Sequence, residues 1–282
     1  MLQTISRILS RCGSPSSVLP PTQVFNEGWL LRIILDWLDR NRDFQHLLSP
    51  FPGAIWYSEA LLPSRFLPEI RGDIKAESFT HADGVVGHFK VASGSRGDAV
   101  IQPNATQFIV AEAKLGSALS AGTKNAPTFD QAARNVACMA HMLGSAGIDP
   151  ASLARIGFCV LAPRVQIDGG VFSDLVTKPS IESKVRNRLL AYGGKHDGWF
   201  ADVFLPTLER IDLNVLSWES ILDALPENEE TSAMKAFYAN CLRFNPLRLR
   251  GSSPVGVAQS ITPKPLGTPV GPPMEDLVTS GL

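Results

Sequence analysis

The order of apolar segments in the middle of the chain constrains the fold most strongly. Residues 98–111 read as two short apolar strands around a turn at Pro103-Asn104, residues 128–143 have helical apolar spacing, and residues 153–163 are again a continuous apolar run. A strand, a helix and a strand at this spacing imply a parallel crossover. The sequence therefore predicts an α/β fold with a mixed central β-sheet flanked by helices.

Charged residues follow the second of these strands. Side chains alternate between the two faces of a strand, so Glu112 and Lys114 point the same way. If the hairpin loop is 103–107, Gln102 faces Phe108, and counting back along the ladder places Asp98 across from Glu112. Two carboxylates and an ammonium group would then meet at one point. An isolated Glu-x-Lys is otherwise a buried ion pair at the end of a sheet.

Two carboxylates at one point repel each other, above all on a strand this apolar, which is expected to be buried on both faces. A divalent cation removes that conflict. Hard oxygen ligands of this kind select Mg²⁺ or Mn²⁺, which keep open positions for water and phosphate oxygens. Lys114 would lie beside the metal-bound water and lower its pKa or orient it.

Helices are predicted on both sides of the strand pair. Residues 25–38 have helical apolar spacing, with Asn26 placed as the N-cap and Glu27 in the first turn. The helix at 128–143 is predicted to start at Pro127 or Thr128. Its residues Gln131 and Arg134 are three apart and share one face.

A helix with Glu, a strand with Asp, a strand with Glu-x-Lys and a helix with Gln-x-x-Arg occur here in the order of the PD-(D/E)xK nuclease superfamily. The chain resembles that superfamily, which has the restriction-endonuclease-like fold, over residues 24–165. Gly97 stands where many members have the proline of the motif. The resemblance implies metal-dependent hydrolysis of phosphodiester bonds in DNA, in restriction, phage defence or repair. RNA stays open as a substrate.

The resemblance also implies residue roles. Asp98, Glu112 and the Ala113 carbonyl would ligate Mg²⁺, Lys114 would orient the attacking water, and Glu27 would complete the site or hold a second ion. Gln131 and Arg134 would fix the end of the sheet or touch the scissile strand. Some members of the superfamily have lost catalysis, so the alternative is a nucleic-acid-binding or scaffold subunit that keeps the fold. Cutting both strands of a duplex needs two active sites, which favours a homodimer or a partner subunit.

A second aspartate competes with Asp98. Residues 80–89 form another strand-like run, interpreted as the first strand of the same sheet, in which His81 and Asp83 share one face. That spacing is compatible with transition-metal ligands, although a solvent-facing strand with an Asp-Gly bend is the more ordinary interpretation. Asp83 is the reserve metal acid if the register of Asp98 slips.

Basic residues form two groups in the second half of the chain. The first contains Lys178, Lys184, Arg186, Arg188 and Lys195, and the second Arg243, Arg248 and Arg250. Lys184, Arg186 and Arg188, with Arg134, are the candidates for contacting nucleic-acid phosphates, which would position the backbone without reading bases. The alternative is a solvated helix face. A net charge of −1 excludes indiscriminate coating of nucleic acid but not a local basic groove.

Composition divides the chain into three parts. Residues 1–23, with Arg7 and Arg11 but no acid, are predicted to be a flexible leader; a targeting presequence and a short amphipathic docking helix have the same composition. Residues 24–250 are predicted as one nuclease-like domain, with the core at 24–165 and a helical elaboration at 166–250. Residues 251–282, rich in Pro, Gly, Ser and Thr, are predicted to be a disordered tail.

The cysteines and the apolar runs bear on localisation. The four cysteines have neither paired nor CxxC spacing, so neither a disulfide framework nor a zinc site is indicated, and a reducing cytoplasm is expected. No apolar run reaches the length that spans a bilayer, so no membrane partner is expected.

Overall fold

The computed structural model describes residues 1–94, 96–123 and 125–247, which lie in one compact unit. Its helices are α1 (Leu2–Ser10), α2 (Glu27–Arg40), α3 (Gln131–Ser145), α4 (Arg164–Asp168), α5 (Lys178–Leu190), α6 (Asp197–Trp199), α7 (Leu205–Arg210), α8 (Trp218–Ala224) and α9 (Glu229–Phe244). Its strands are β1 (Ile55–Leu62), β2 (Thr80–Gly87), β3 (Phe89–Val91), β4 (Ala99–Ile101), β5 (Gln107–Ala113), β6 (Arg155–Ala162) and β7 (Asp212–Ser217). The predicted tail at 251–282, together with Arg248 and Arg250, lies outside the described residues.

The main sheet is mixed, as predicted, with strand order β1-β2-β5-β6-β7. β1, β2 and β5 are antiparallel neighbours, whereas β5, β6 and β7 run parallel. Every residue of β5 is buried, since helices cover both faces of the sheet. The crossover from β5 through α3 to β6 is the one that the apolar pattern predicted.

The two faces of the sheet are covered by different helices. Helices α3 and α5 and the segment around α7 pack on one face, in a core that includes Phe108, Val110 and Phe158. Helices α2, α8 and α9 pack on the other face, against Ile109 and Ala111. Neighbouring residues of β5 thus contribute to opposite cores, and Glu112 has the parity of the α3 face.

Helix α2 approaches the sheet closely at Gly84. A Cβ atom added there would lie 3.0 Å from Leu31 Cδ2 and 3.2 Å from Leu35 Cδ1. A larger residue would push the helix away, so the absence of a side chain at Gly84 permits this packing. Asn26 caps α2 by accepting a hydrogen bond from the Trp29 amide, which confirms the predicted N-cap.

The predicted hairpin between residues 98–102 and 108–112 is wrong. β4 pairs with β3, which forms a separate two-stranded ribbon, and β5 pairs with β2. The ribbon begins where His88 accepts hydrogen bonds at Nδ1 from the amides of Thr106 and Gln107. The chain from 88 to 102 is therefore an insertion between β2 and β5. The run at 80–89, predicted as the first strand of the sheet, is its second strand, β2, because β1 precedes it.

Helix α3 also begins later than predicted. Its N-cap is Asp130, whose Oδ1 accepts a hydrogen bond from the Ala133 amide at 3.0 Å. Residues 127–129 belong to the preceding loop. The segment predicted as a leader contains α1, which buries none of its residues.

Candidate functional site

The site lies where β2 separates from β5. The last rung between these strands joins Gly84 to Ala111. One residue beyond it, Asp83 Oδ2 accepts a hydrogen bond from the Ala113 amide at 2.8 Å. A carboxylate thus replaces the backbone partner that the ladder no longer supplies. This places Asp83 beside the carboxyl end of β5.

Glu112 is the centre of the site and is fully buried. Its Oε1 accepts hydrogen bonds from Lys114 Nζ at 2.6 Å and from Gln131 Nε2 at 2.5 Å. Its Oε2 accepts one from Asn135 Nδ2 at 3.3 Å. Strand β5 supplies the carboxylate and the ammonium, and the first two turns of α3 supply both amides.

Burial raises the pKa of Glu112 to about 8, and the negative charge of Asp83 beside it adds to the shift. Lys114 acts in the opposite direction but does not cancel these effects. Near neutral pH Glu112 therefore retains a proton that a carboxylate in water would have released. The site is one in which negative charge is crowded and a cation is favoured.

Hydrogen bonds hold the loop between β5 and α3 at both of its ends. Gln131 Oε1 accepts a hydrogen bond from the Ser120 amide at 3.2 Å, and the Gln131 amide donates to the Ser120 carbonyl at 3.0 Å. Gln166, which is buried in α4, accepts a hydrogen bond from the Gly116 amide at 2.9 Å. Trp218 Nε1 donates to the Lys114 carbonyl at 2.9 Å. These contacts fix the backbone on which Lys114 stands.

Strand β1 is distorted next to the site. Glu59 lies between the rungs that join Ser58 to Gly84 and Ala60 to Ala82, and it has a φ of +56°. Left-handed backbone at a residue other than glycine is uncommon and costs conformational energy. Arg32 of α2 donates to Ser58 Oγ at 2.9 Å and to Glu59 Oε1 at 3.1 Å. β1 is therefore held in its bent form from the α2 side, at the residue level with Asp83.

The structure does not bring Asp98 to Glu112. Asp98 forms a parallel bridge with Leu61 of β1, so β1 and β2 both lie between its backbone and β5. At about 4.8 Å per strand, three strand spacings separate the two backbones by roughly 14 Å. The register argument for Asp98 is thereby corrected. Asp83, the reserve candidate, is the aspartate that lies beside Glu112.

Glu27 stands in the first turn of α2, as predicted, one turn before Leu31. Among the contacts of the described residues, no hydrogen bond or ion pair joins it to Asp83 or Glu112. Its carboxylate lies near Cys241 of α9, whose thiol pKa is raised mainly by burial and further by the Glu27 charge. Glu27 thus lies at the N-terminal end of α2, near Cys241, and is not part of the Glu112 cluster.

The four predicted phosphate-contacting residues each lie near an acid, which for Arg186 is in the same helix and for the other three is in another part of the chain. Arg188 is buried and its Nε lies 3.0 Å from Glu77 Oε1, and Arg134 Nε lies 3.7 Å from Glu77 Oε2. Lys184 Nζ lies 2.6 Å from Asp130 Oδ2, and Arg186 pairs with Glu182 at 2.6 Å. Lys195 pairs with Glu69 in the same way. Arg188 is a structural residue of the interior, and the expected bare basic patch is not present in the described part of the chain.

The donor set fits one Mg²⁺ ion. Mg²⁺ is commonly held by one or two carboxylates, with water and phosphate oxygens completing the shell. Asp83 and Glu112 supply the carboxylates. The N–H and C=O groups of one strand residue point to the same edge of the strand. The Ala113 amide donates to Asp83, so the Ala113 carbonyl also points toward Asp83. No group of three or more His, Cys, Asp or Glu side chains suited to a metal occurs in the described ranges.

Asn135 is the site residue that sequence reasoning missed. It is fully buried, and its Oδ1 has no hydrogen-bond partner among the described residues. The signal was available, since Asn135 follows Gln131 by four residues and therefore shares its helix face. A buried asparagine within an alanine-rich helix indicates a polar partner on the surface that the helix covers.

The chain was compared with protein-family models, with curated proteins and with solved structures, and no match was found in any of them. Within the described residues, no helix is both long and apolar enough to cross a membrane. All four cysteines are free thiols.

Proposed function

We propose that this protein is a metal-dependent nuclease of the PD-(D/E)xK type that hydrolyses phosphodiester bonds in DNA. The observation that carries the proposal is the convergence of Asp83, Glu112 and Lys114 where β2 separates from β5. The order of elements supports it as well, because the helix with Glu27, the strand with Asp83, the strand with Glu112 and the helix with Gln131 follow one another as the resemblance implies.

The roles follow from the geometry. Asp83, Glu112 and the Ala113 carbonyl would hold Mg²⁺ or Mn²⁺, which when bound activates water and stabilises charge on a phosphate. The Lys114 ammonium, 2.6 Å from Glu112, is placed to orient a water molecule and to compensate negative charge near the carboxylates. Gln131 and Asn135 are positioning residues that hold the Glu112 carboxylate in place.

A second candidate is a non-catalytic nucleic-acid-binding or scaffold subunit. The observation that favours it is that Glu112 already accepts hydrogen bonds from Lys114, Gln131 and Asn135. A carboxylate so well satisfied can persist without a metal ion. The two candidates differ in whether Asp83 and Glu112 bind a divalent cation.

The first experiment incubates the full chain with circular duplex, linear duplex and circular single-stranded DNA in Mg²⁺, Mn²⁺ or EDTA. Asp83→Asn and Glu112→Gln should each lower the cleavage rate by about 100-fold or more, because a bound metal lowers the reaction barrier by several kcal/mol. The matched control is Asp98→Asn, which removes the other candidate carboxylate and should leave the rate unchanged.

Loss of cleavage in Asp98→Asn with retention in Asp83→Asn would contradict the assigned site. If no variant and no substrate gives cleavage, Mn²⁺ binding separates the two candidates. The scaffold predicts no Mn²⁺-induced rise in thermal stability in the unmodified chain, whereas the nuclease predicts a rise that Asp83→Asn removes.

A further inference from the structure

Helix α1 presents an apolar face that the described chain covers only in part, at Ile8. Leu2, Ile5, Ile8 and Leu9 lie on one side of the helix at spacings of three and four residues. None of them is buried; Leu2 is 83 % exposed and Ile5 46 % exposed. Two such large side chains on one short helix amount to a contiguous apolar surface in contact with water.

The opposite side of α1 is polar and basic. Arg7 lies on it within the helix, and Arg11, the residue that ends the helix, continues it. The first acid of the chain is Glu27, so no carboxylate in this segment compensates the two guanidinium groups. The net charge of the whole chain is −1, which makes this basic character local to the segment.

The segment is attached to the rest of the fold immediately after the helix. Gly13 has a φ of +81°, and a Cβ added there would lie 3.1 Å from the Phe244 ring of α9 and 3.5 Å from the Phe25 ring. Phe25 and Phe244 are themselves stacked, with centroids 5.4 Å apart. The segment after α1 thus contacts the aromatic pair Phe25 and Phe244, while Leu2 and Ile5 of α1 stay exposed.

We propose that α1 binds an anionic lipid surface. A helix with one apolar face, an arginine-bearing face and few charges in total is suited to lie in the interface of a membrane, with its apolar residues among the acyl chains. Arginines near such a surface are attracted by its negative potential. At about 1.5 Å per residue, nine residues are too short to cross the bilayer, so the helix lies on the surface.

The charge distribution favours this occupant over a second copy of the chain. A second copy of α1 would offer an apolar face but no acid that could pair with Arg7 or Arg11. An anionic lipid surface supplies the opposite charge and accepts the apolar face at the same time. The proposal is independent of the nuclease site.

The test is co-sedimentation of the full chain with vesicles of phosphatidylcholine alone and of phosphatidylcholine mixed with phosphatidylglycerol. We expect binding at least about tenfold tighter to the mixed vesicles, weakened by salt. The double variant Ile5→Asp, Leu9→Asp should abolish binding. The matched control Ser6→Asp, Ser10→Asp changes the charge equally on the polar side and should bind several-fold more tightly than the first variant.

Equal binding of the two double variants would overturn the proposal, because it would show that charge alone is responsible. Absence of binding to the mixed vesicles would overturn it too. A concentration-dependent dimer that Ile5→Asp, Leu9→Asp disrupts, without vesicle binding, would instead assign the apolar face to a second copy. Since α1 buries no residue, these variants leave the core unaltered, and circular dichroism checks that they fold.

Discussion

At the scale of single residues, the site depends on a side chain that makes a hydrogen bond usually made by the backbone. Asp83 takes over the pairing of the Ala113 amide where the ladder ends. Glu59, directly opposite on β1, has left-handed backbone and an ion pair to Arg32. These two residues lie at the same level of adjacent strands, just beyond the last rung between β2 and β5.

The conformational cost at Glu59 can be measured with two substitutions. Glu59→Ala and Glu59→Gly both remove the ion pair to Arg32, but only glycine adopts a φ of +56° without a steric penalty. We expect the free energy of unfolding of Glu59→Gly to exceed that of Glu59→Ala by about 1 kcal/mol. Urea unfolding gives both values. A less stable glycine variant would contradict the left-handed assignment.

At the scale of elements, the start of α3 determines how Glu112 is held. The helix begins at Gln131 because Asp130 caps it, and this register directs Gln131 and Asn135 at the carboxylate. Asp130 also pairs with Lys184 of α5. One aspartate thereby links the orientation of α3 to the helix packed beside it.

Asp130 offers a test of this coupling. Asp130→Asn keeps an oxygen that can cap the helix but loses the charge opposite Lys184, whereas Asp130→Ala loses both. Asp130→Ala should have the lower free energy of unfolding, by about 1 kcal/mol relative to Asp130→Asn. Urea unfolding at neutral pH measures the difference. If the two variants are equally stable, the cap contributes little and another contact fixes the helix start.

At the scale of the whole molecule, stability is coupled to the charge of the site. The folded chain raises the pKa of Glu112 from 4.5 to about 8, whereas the unfolded chain does not. The stabilising contribution of the bound proton is fully present below the unfolded pKa and is lost as the pH rises through the folded one. The protein without metal is therefore expected to lose stability between pH 5 and pH 8 through this group.

Asp83→Asn tests that dependence. The change removes the charge beside Glu112 while an amide oxygen can still accept from the Ala113 amide, so the pKa of Glu112 falls toward its ordinary value. The loss of unfolding free energy from pH 5 to pH 8 in EDTA should become smaller, by roughly 1.4 kcal/mol for each pKa unit removed. Asp98→Asn is the control and should keep the slope of the unmodified chain. An unchanged slope in Asp83→Asn would show that its carboxylate does not perturb Glu112.

The sequence by itself determined the elements that local patterns encode. Apolar periodicity identified α2, α3, β5 and β6, and the strand–helix–strand spacing indicated the mixed sheet. Asn26 was recognisable as a cap because capping involves neighbours in sequence. Glu112, Lys114 and Gln131 were selected as candidates from local alternation and spacing, and the structure brings these three side chains together.

Only the tertiary structure decided which distant residues join them. Asp98 and Asp83 both precede Glu112 on apolar strands. Which of them lies beside Glu112 depends on which strand pairs with β5. That strand is β2, and the inserted ribbon separates it from β5 in sequence. The partners of Lys184 and Arg188 could not be inferred locally, because Asp130 and Glu77 lie far away in sequence. Strand pairing and ion pairing of this kind are fixed by packing of the whole core, whereas periodicity reports only the nearest turns of the chain.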